Sequence, residues 1–73
     1  AQASSDPAEA SVTALAIALQ SLPHNYAKAI VLHDVIGLPV AQAAAELGAP
    51  EGTVRSWLSR GRALLAARLD GHE

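Results

Sequence analysis

Proline and glycine punctuation constrains this chain more than any other feature. Its four prolines stand at 7, 23, 39 and 50, and glycines stand at 37, 48 and 71. Proline is tolerated at a helix start but breaks a helix interior, whereas glycine is enriched just past a helix end. The stretches between these marks are mostly apolar, so the spacing predicts four helices. Asp6-Pro7-Ala8-Glu9 combines an N-cap, a proline at the first helical position and a Glu three residues after the cap. The first helix is expected to reach about Gln20, with Val12, Leu15 and Leu19 on one face. Ser21-Leu22-Pro23 repeats the cap-then-proline pattern and opens a second helix ending near Ile36 at Gly37, with Ala27, Ile30 and Val31 as its seam. Leu38-Pro39 restarts the chain, and Val40 to Leu47 forms a short third helix closed by Gly48. Ala49-Pro50-Glu51-Gly52 is expected to turn into a fourth helix that continues through about Arg68. Residues 1–7 read as a disordered leader, 8–69 as the folded domain and 70–73 as a frayed tail.

Composition sets the fold class. Seventy-three residues suffice for one small domain. Hydrophobic residues make up 51% of the chain and 17 of them are alanine, while Phe, Met and Cys are absent. Ala and Leu are the strongest helix formers, and the strand-favouring residues are sparse. The expected fold is therefore all-α, a four-helix domain with a C-terminal helix-turn-helix. Its core suits closely approaching helices and leaves little room for a deep ligand pocket. Without cysteine there is no disulfide, thiolate zinc site or cysteine nucleophile. The three histidines are scattered, and no nucleophile–base cluster appears, so neither a metal, a cofactor nor catalysis is expected. No apolar run approaches the ~18 residues that span a bilayer, and the N-terminus lacks the basic flank of a signal peptide. A cytoplasmic monomer without a membrane partner is the expectation. The initial Ala in place of Met suggests a domain of a longer protein.

The net charge is −2, which opposes binding to phosphates when taken globally. Its distribution says otherwise. Residues 1–50 set Lys28 against Asp6, Glu9, Asp34 and Glu46, whereas residues 52–68 carry Arg55, Arg60, Arg62 and Arg68 with no acid. Such asymmetry fits a basic binding face on a domain that is otherwise acidic.

A short helix, a tight turn and a longer helix form the helix-turn-helix plan used to enter the DNA major groove. Ala43 and Ala44 permit close approach of the two helices, with Val40 and Leu47 filling the seam. On the fourth helix, Val54, Leu58, Gly61 and Leu65 share one face, flanked by Trp57 and Leu64. The opposite arc carries Gly52, Ser56, Ser59 and Ala63, bracketed by Arg55 and Arg62 on one side and Arg60 on the other. Small polar residues between arginines allow a helix to sit deep in the groove, where arginine reaches guanine edges or grips phosphates. An ordinary solvated face has the same charge pattern.

Leu22-Pro23, the run Ala29 to Leu38, and above all Gly52-Thr53-Val54-Arg55-Ser56 followed by Leu58-Ser59-Arg60-Gly61-Arg62 resemble region 4 of the extracytoplasmic-function (ECF) group of sigma factors. The likeness covers about residues 10–69. It implies a domain that recognises the −35 promoter element in double-stranded DNA and docks on the β-subunit flap of RNA polymerase, with an anti-sigma factor as a further partner. By position, Gly52 and Thr53 would set the helix N-terminus against phosphates, which its dipole favours. Arg55, Ser56, Ser59 and Arg60 would face bases and neighbouring phosphates, with Arg62 in the same set. His33 stands where the family often has Arg, which implies a backbone contact. The family usually has a polar cap at Pro39, acidic residues at Ala41 and Gln42, Ile at Ala43, Arg at Trp57 and Ala at Gly61. Gly61 costs roughly 1 kcal/mol of helix propensity, so the fold is expected to be either less stable or more closely packed.

Two other readings share parts of the pattern. A response-regulator DNA-binding domain has the helix-turn-helix but not the Gly-Thr-Val-Arg-Ser ending. A protein-binding helical module, held by an anti-sigma factor or another regulator, would accommodate the −2 charge and the Ala-rich third helix. Trp57 reads as a packing residue, Arg68 as a C-terminal cap, and Asp34 and Glu46 as surface charges. With about three arginines on phosphates, the salt slope would be only about −2.7, roughly a forty-fold loss between 50 and 200 mM. Weak binding by the isolated domain follows, strengthened by tethering to a larger assembly.

Overall fold

The prolines start helices in a way the sequence pattern only partly anticipates. The computed structural model describes residues 7–70, with side chains from residue 12 onward. Residues 1–6 of the expected leader, with the Asp6 cap, and residues 71–73 of the expected tail lie outside the described residues, whereas Pro7, assigned to the leader, is already helical. Four α-helices follow one another: α1 (Pro7–Gln20), α2 (His24–Ile30), α3 (Val40–Leu47) and α4 (Glu51–Leu69). Pro7 opens α1 as its first residue. The other three prolines sit one position before their helices, with ψ between 142° and 152°. Each one's carbonyl accepts the first helical bond: from Ala27 at 3.1 Å, Ala43 at 2.9 Å and Val54 at 3.1 Å. No side chain caps the N-terminus of these three helices. The expected Ser21 cap is thus corrected: its hydroxyl donates back to the Ala18 carbonyl at 2.7 Å and finishes α1 instead. Glu51 and Gly52 already belong to α4, which leaves residues 48–50 as the turn between α3 and α4.

The second helix does not run unchanged to Gly37. From Val31 to Ile36 it widens to a π-helical segment with bonds of the i→i+5 type. Gly37 ends this segment with φ 97°, a left-handed conformation that suits a residue without Cβ. The Leu38 amide then donates to the Leu32 carbonyl at 2.9 Å. His33 adds a side-chain tie, its Nδ1–H donating to the Leu38 carbonyl at 2.7 Å. Apolar periodicity marks that a helix exists here, but it carries no information about the local change of hydrogen-bond ladder.

Half of the buried core is alanine: Ala18, Ala29, Ala43 and Ala44 join Leu22, Ile30, Val54 and Leu58. Small residues let backbones approach closely, so a thin core is still tightly filled. α2 packs most extensively on α4, and α3 crosses α4 as the short arm of the helix-turn-helix. On α4 the expected face is the one that turns inward, with Val54, Leu58 and Gly61 buried and Trp57, Leu64 and Leu65 half-buried beside them. On α1 the expected face is wrong in part. Val12 is 66% exposed, Leu15 and Leu19 are half-buried, and among the described side chains of α1 the buried one is Ala18. The helix is so rich in alanine that several faces are similarly apolar, and periodicity cannot select among them. On α2 the seam is centred on Ala29 and Ile30, with Ala27 and Val31 at its margins.

Gly61 decides between weaker and closer packing. A Cβ there would lie 2.9 Å from Ile30 Cδ1 and 3.0 Å from Tyr26 Cβ. The missing methyl therefore allows α2 to press against α4, and the loss of helix propensity is exchanged for close approach.

Candidate nucleic-acid interface

The outward arc of α4 is laid out as its sequence implies. Gly52, Arg55, Ser56, Ser59, Arg60, Arg62 and Ala63 are all exposed, and Thr53 is half-buried at the first turn. Gly52 and Thr53 stand second and third in the helix, so their amides are among the four N–H groups that no helical carbonyl satisfies. A Cβ at Gly52 would meet nothing within 4 Å, so the domain's own packing does not demand glycine there. The helix macrodipole places partial positive charge at this end.

The three arginines bracketing the arc are not equivalent. Among the described residues Arg60 has no acidic partner. Arg55 donates through Nη2 to Glu51 Oε1 at 3.2 Å, one turn back. The side chains of that pair are 62% and 49% exposed. Such an i,i+4 pair contributes only about 0.3–0.5 kcal/mol and yields readily to a stronger anion. Arg62 is held differently. Its Nε donates to Asp34 Oδ2 at 2.9 Å and its Nη2 to Asp34 Oδ1 at 2.6 Å. This fork-on-carboxylate contact joins the π-helical segment to α4 across 28 positions of sequence.

Asp34 is where the sequence reading fell short. It is a surface charge, as expected, but also a tertiary partner of a predicted site residue. No short-range spacing signals such a pair, because it depends on how α2 and α4 are set side by side. The hydrogen bonds from Arg62 hold the Asp34 carboxyl below its ordinary range, with partial burial opposing and the charges of Arg62 and His33 assisting. Because the folded-state value is lower than the unfolded one, the pair stabilises the domain above the ordinary carboxylate range, and that contribution is lost as pH falls through the lowered value. With side chains 52% and 32% exposed, it should remain below about 1 kcal/mol. Chemical denaturation of wild type and Asp34→Asn should therefore differ at neutral pH and converge only as the pH falls through the lowered value of the Asp34 carboxyl. A difference that persisted unchanged in acid would exclude the ion pair as its source.

The remaining candidates have structural neighbours of their own. His33 is half-buried, and its Nδ1 is engaged by the Leu38 carbonyl, which leaves Nε2 for any further contact. Arg68 donates to the Leu64 carbonyl at 3.5 Å, one turn back along α4. His24 is exposed. Among the described residues no group of three His, Cys, Asp or Glu side chains could hold a metal ion. No described helix is long and apolar enough to cross a membrane.

Comparison with known proteins meets this geometry from another direction. Residues 13–65 match the family described as Sigma-70, region 4. The chain is also 45% identical, over 58 residues, to the ECF RNA polymerase sigma factor SigE of Mycolicibacterium smegmatis. That alignment covers 80% of this chain and 23% of the relative, so the chain spans about a quarter of the curated protein it matches. No solved structure matches significantly. The family match takes in most of α1 and everything from α2 to Leu65, including the helix-turn-helix and its arginine-bracketed arc. The chain belongs to the sigma-70 region 4 family, in keeping with the resemblance carried by the residues of α4.

Proposed function

We propose that this domain recognises the −35 promoter element for an ECF-type sigma factor, with α4 lying in the major groove and the sigma factor directing RNA polymerase to initiate. The observation that carries this reading is the exposed arc Gly52–Ser56–Ser59–Ala63 with arginines on both sides, presented by a helix-turn-helix of the sigma-70 region 4 family. Arg55, Ser56, Ser59 and Arg60 contact base edges and adjacent phosphates, and the amides of Gly52 and Thr53 receive a phosphate at the helix N-terminus. Arg62 and His33 lie at the margin of this contact. The domain acts by binding rather than by catalysis, as a cytoplasmic monomer docked on the β-subunit flap, with an anti-sigma factor as a regulator.

Asp34 largely neutralises Arg62, so two arginines supply most of the counterion release. The salt slope is then about −1.8, roughly a twelve-fold loss of affinity between 50 and 200 mM. The acidic remainder of the chain opposes even this, so useful occupancy requires tethering to polymerase and to a second promoter-reading domain. Amide chemical-shift mapping at low salt tests the reading directly. A duplex carrying the promoter element should perturb residues 52–63, and above all Gly52, Thr53, Ser56, Ser59 and Arg60. Perturbations confined to α1 and the π-helical segment would favour a protein-binding module instead.

A further inference from the structure

We propose that Asp34 is a positioning residue for DNA recognition: it fixes the Arg62 guanidinium so that Arg62 meets the duplex as a pre-oriented donor rather than as a mobile cation. This rests on the promoter-reading role of α4. Two edges of the guanidinium are distinguished by the contact. Nε and Nη2 are both taken by the carboxylate, at 2.9 and 2.6 Å, whereas Nη1 has no acceptor among the described residues. The Arg62 side chain is still 52% exposed, so the unengaged end of the fork is open to solvent on the edge of the arc shared with Arg55.

The clamp itself is anchored. Asp34 stands in the π-helical segment, whose end is tied by the His33–Leu38 contact and by the Leu38 amide on the Leu32 carbonyl. Such segments are frequent at functional sites, where they re-aim side chains that a regular helix would place elsewhere. An arginine held this way has given up its rotamer freedom on folding, and less remains to be lost when DNA binds. The contrast with Arg55 is informative, because its single 3.2 Å contact to Glu51 lies along one helix and holds no orientation firmly.

Charge alone makes the opposite forecast. An acidic group beside a groove-facing helix repels phosphates, so its removal should strengthen binding. Positioning requires that removal weaken it. The test uses the 73-residue chain and a fluorescein-labelled duplex selected by the wild-type chain from a randomised pool at low salt. Wild type, Asp34→Asn, Arg62→Ala and the double variant are titrated at several salt concentrations, with thermal unfolding as the folding control. Asp34→Asn is expected to weaken binding by about three- to tenfold, the loss associated with ordering one long side chain on binding. Its salt slope should steepen by up to about 0.9, because Arg62 becomes an unneutralised cation. In the Arg62→Ala background the same substitution should produce no weakening. A purely structural role would move neither the slope nor this dependence on Arg62. Tighter binding by Asp34→Asn, unchanged binding, or equal weakening without Arg62 would each overturn the proposal. If Arg55→Ala with Arg60→Ala left the affinity for the selected duplex intact, the reading of α4 itself would fail and take the clamp with it, an outcome distinct from failure of Asp34 alone.

Discussion

Replacing Arg55 and Arg60 together by alanine should lower promoter-duplex affinity roughly a hundredfold and abolish promoter-dependent transcription by the full sigma factor, with folding unchanged. Each bidentate arginine–base contact discriminates by about 1–3 kcal/mol, and each phosphate contact adds its share of counterion release. Both side chains are exposed, and neither enters the core, so the loss falls on binding rather than on stability. Among the described residues, the only ion pair or side-chain hydrogen bond removed is Arg55–Glu51 along one turn of α4, a few tenths of a kcal/mol. Arg60 is expected to matter more than Arg55, because it has no acidic partner among the described residues to give up on binding. The measurement is in vitro transcription beside circular dichroism and thermal unfolding. Wild-type transcription from a normally folded double variant would rule out DNA reading by this face and leave the protein-binding module standing.

The second large effect is on stability. Gly61→Val should abolish cooperative unfolding at ambient temperature, and Gly61→Ala should lower the midpoint by several degrees. An added Cβ lies 2.9 Å from Ile30 Cδ1 and 3.0 Å from Tyr26 Cβ. The first contact is with a side-chain end, but Ile30 is only 2% exposed and has little space into which to turn. The second is with an atom bonded directly to the backbone, so relief there requires α2 to withdraw from α4. Overpacking of this kind costs about 1–3 kcal/mol, against a helix-propensity gain of roughly 1 kcal/mol for alanine. The net loss for alanine is about 1 kcal/mol, which is 4–8 °C in a domain of this size. Valine adds two further methyl groups and a poorer propensity, and few domains this small have the reserve to absorb them. Thermal melts by circular dichroism would decide it. A midpoint raised by Gly61→Ala would show that the interhelical gap is wider than 3 Å contacts imply. Withdrawal of α2 would also carry Asp34 away from Arg62, so this one glycine couples stability to the arrangement of the binding face.

The division between legible and hidden features follows from the range of the interactions involved. Helix boundaries depend on prolines and glycines acting within a few residues, and those positions located α1, α3 and α4 to within a residue or so. The inward stripe of α4 was legible because Val54, Leu58 and Gly61 recur at helical spacing amid polar neighbours. The Ala-rich α1 offered no such contrast, and its buried residue was misplaced. The π-helical segment was invisible because the side chains of residues 31–36 are compatible with either ladder, and the choice depends on ties to Leu38. The exposed arc of small residues and arginines could be written down from residue order alone, but the differing states of its arginines could not.

By itself, then, the order of residues determined that four helices form, that the last two make a helix-turn-helix, and which side of α4 faces outward. These outcomes rest on local backbone restriction and on periodic burial, both of which are encoded within single helices. Only the tertiary structure decided how closely α2 meets α4, because that distance depends on a methyl group missing at Gly61 and on the side chains opposite it. The same close approach brings Asp34 onto Arg62 across 28 positions of chain, and so decides which cation is clamped and which remain unpaired or loosely paired. A pair of that separation owes nothing to local spacing; it exists because two helix faces, each specified separately, are pressed together by a core thin enough to let them meet.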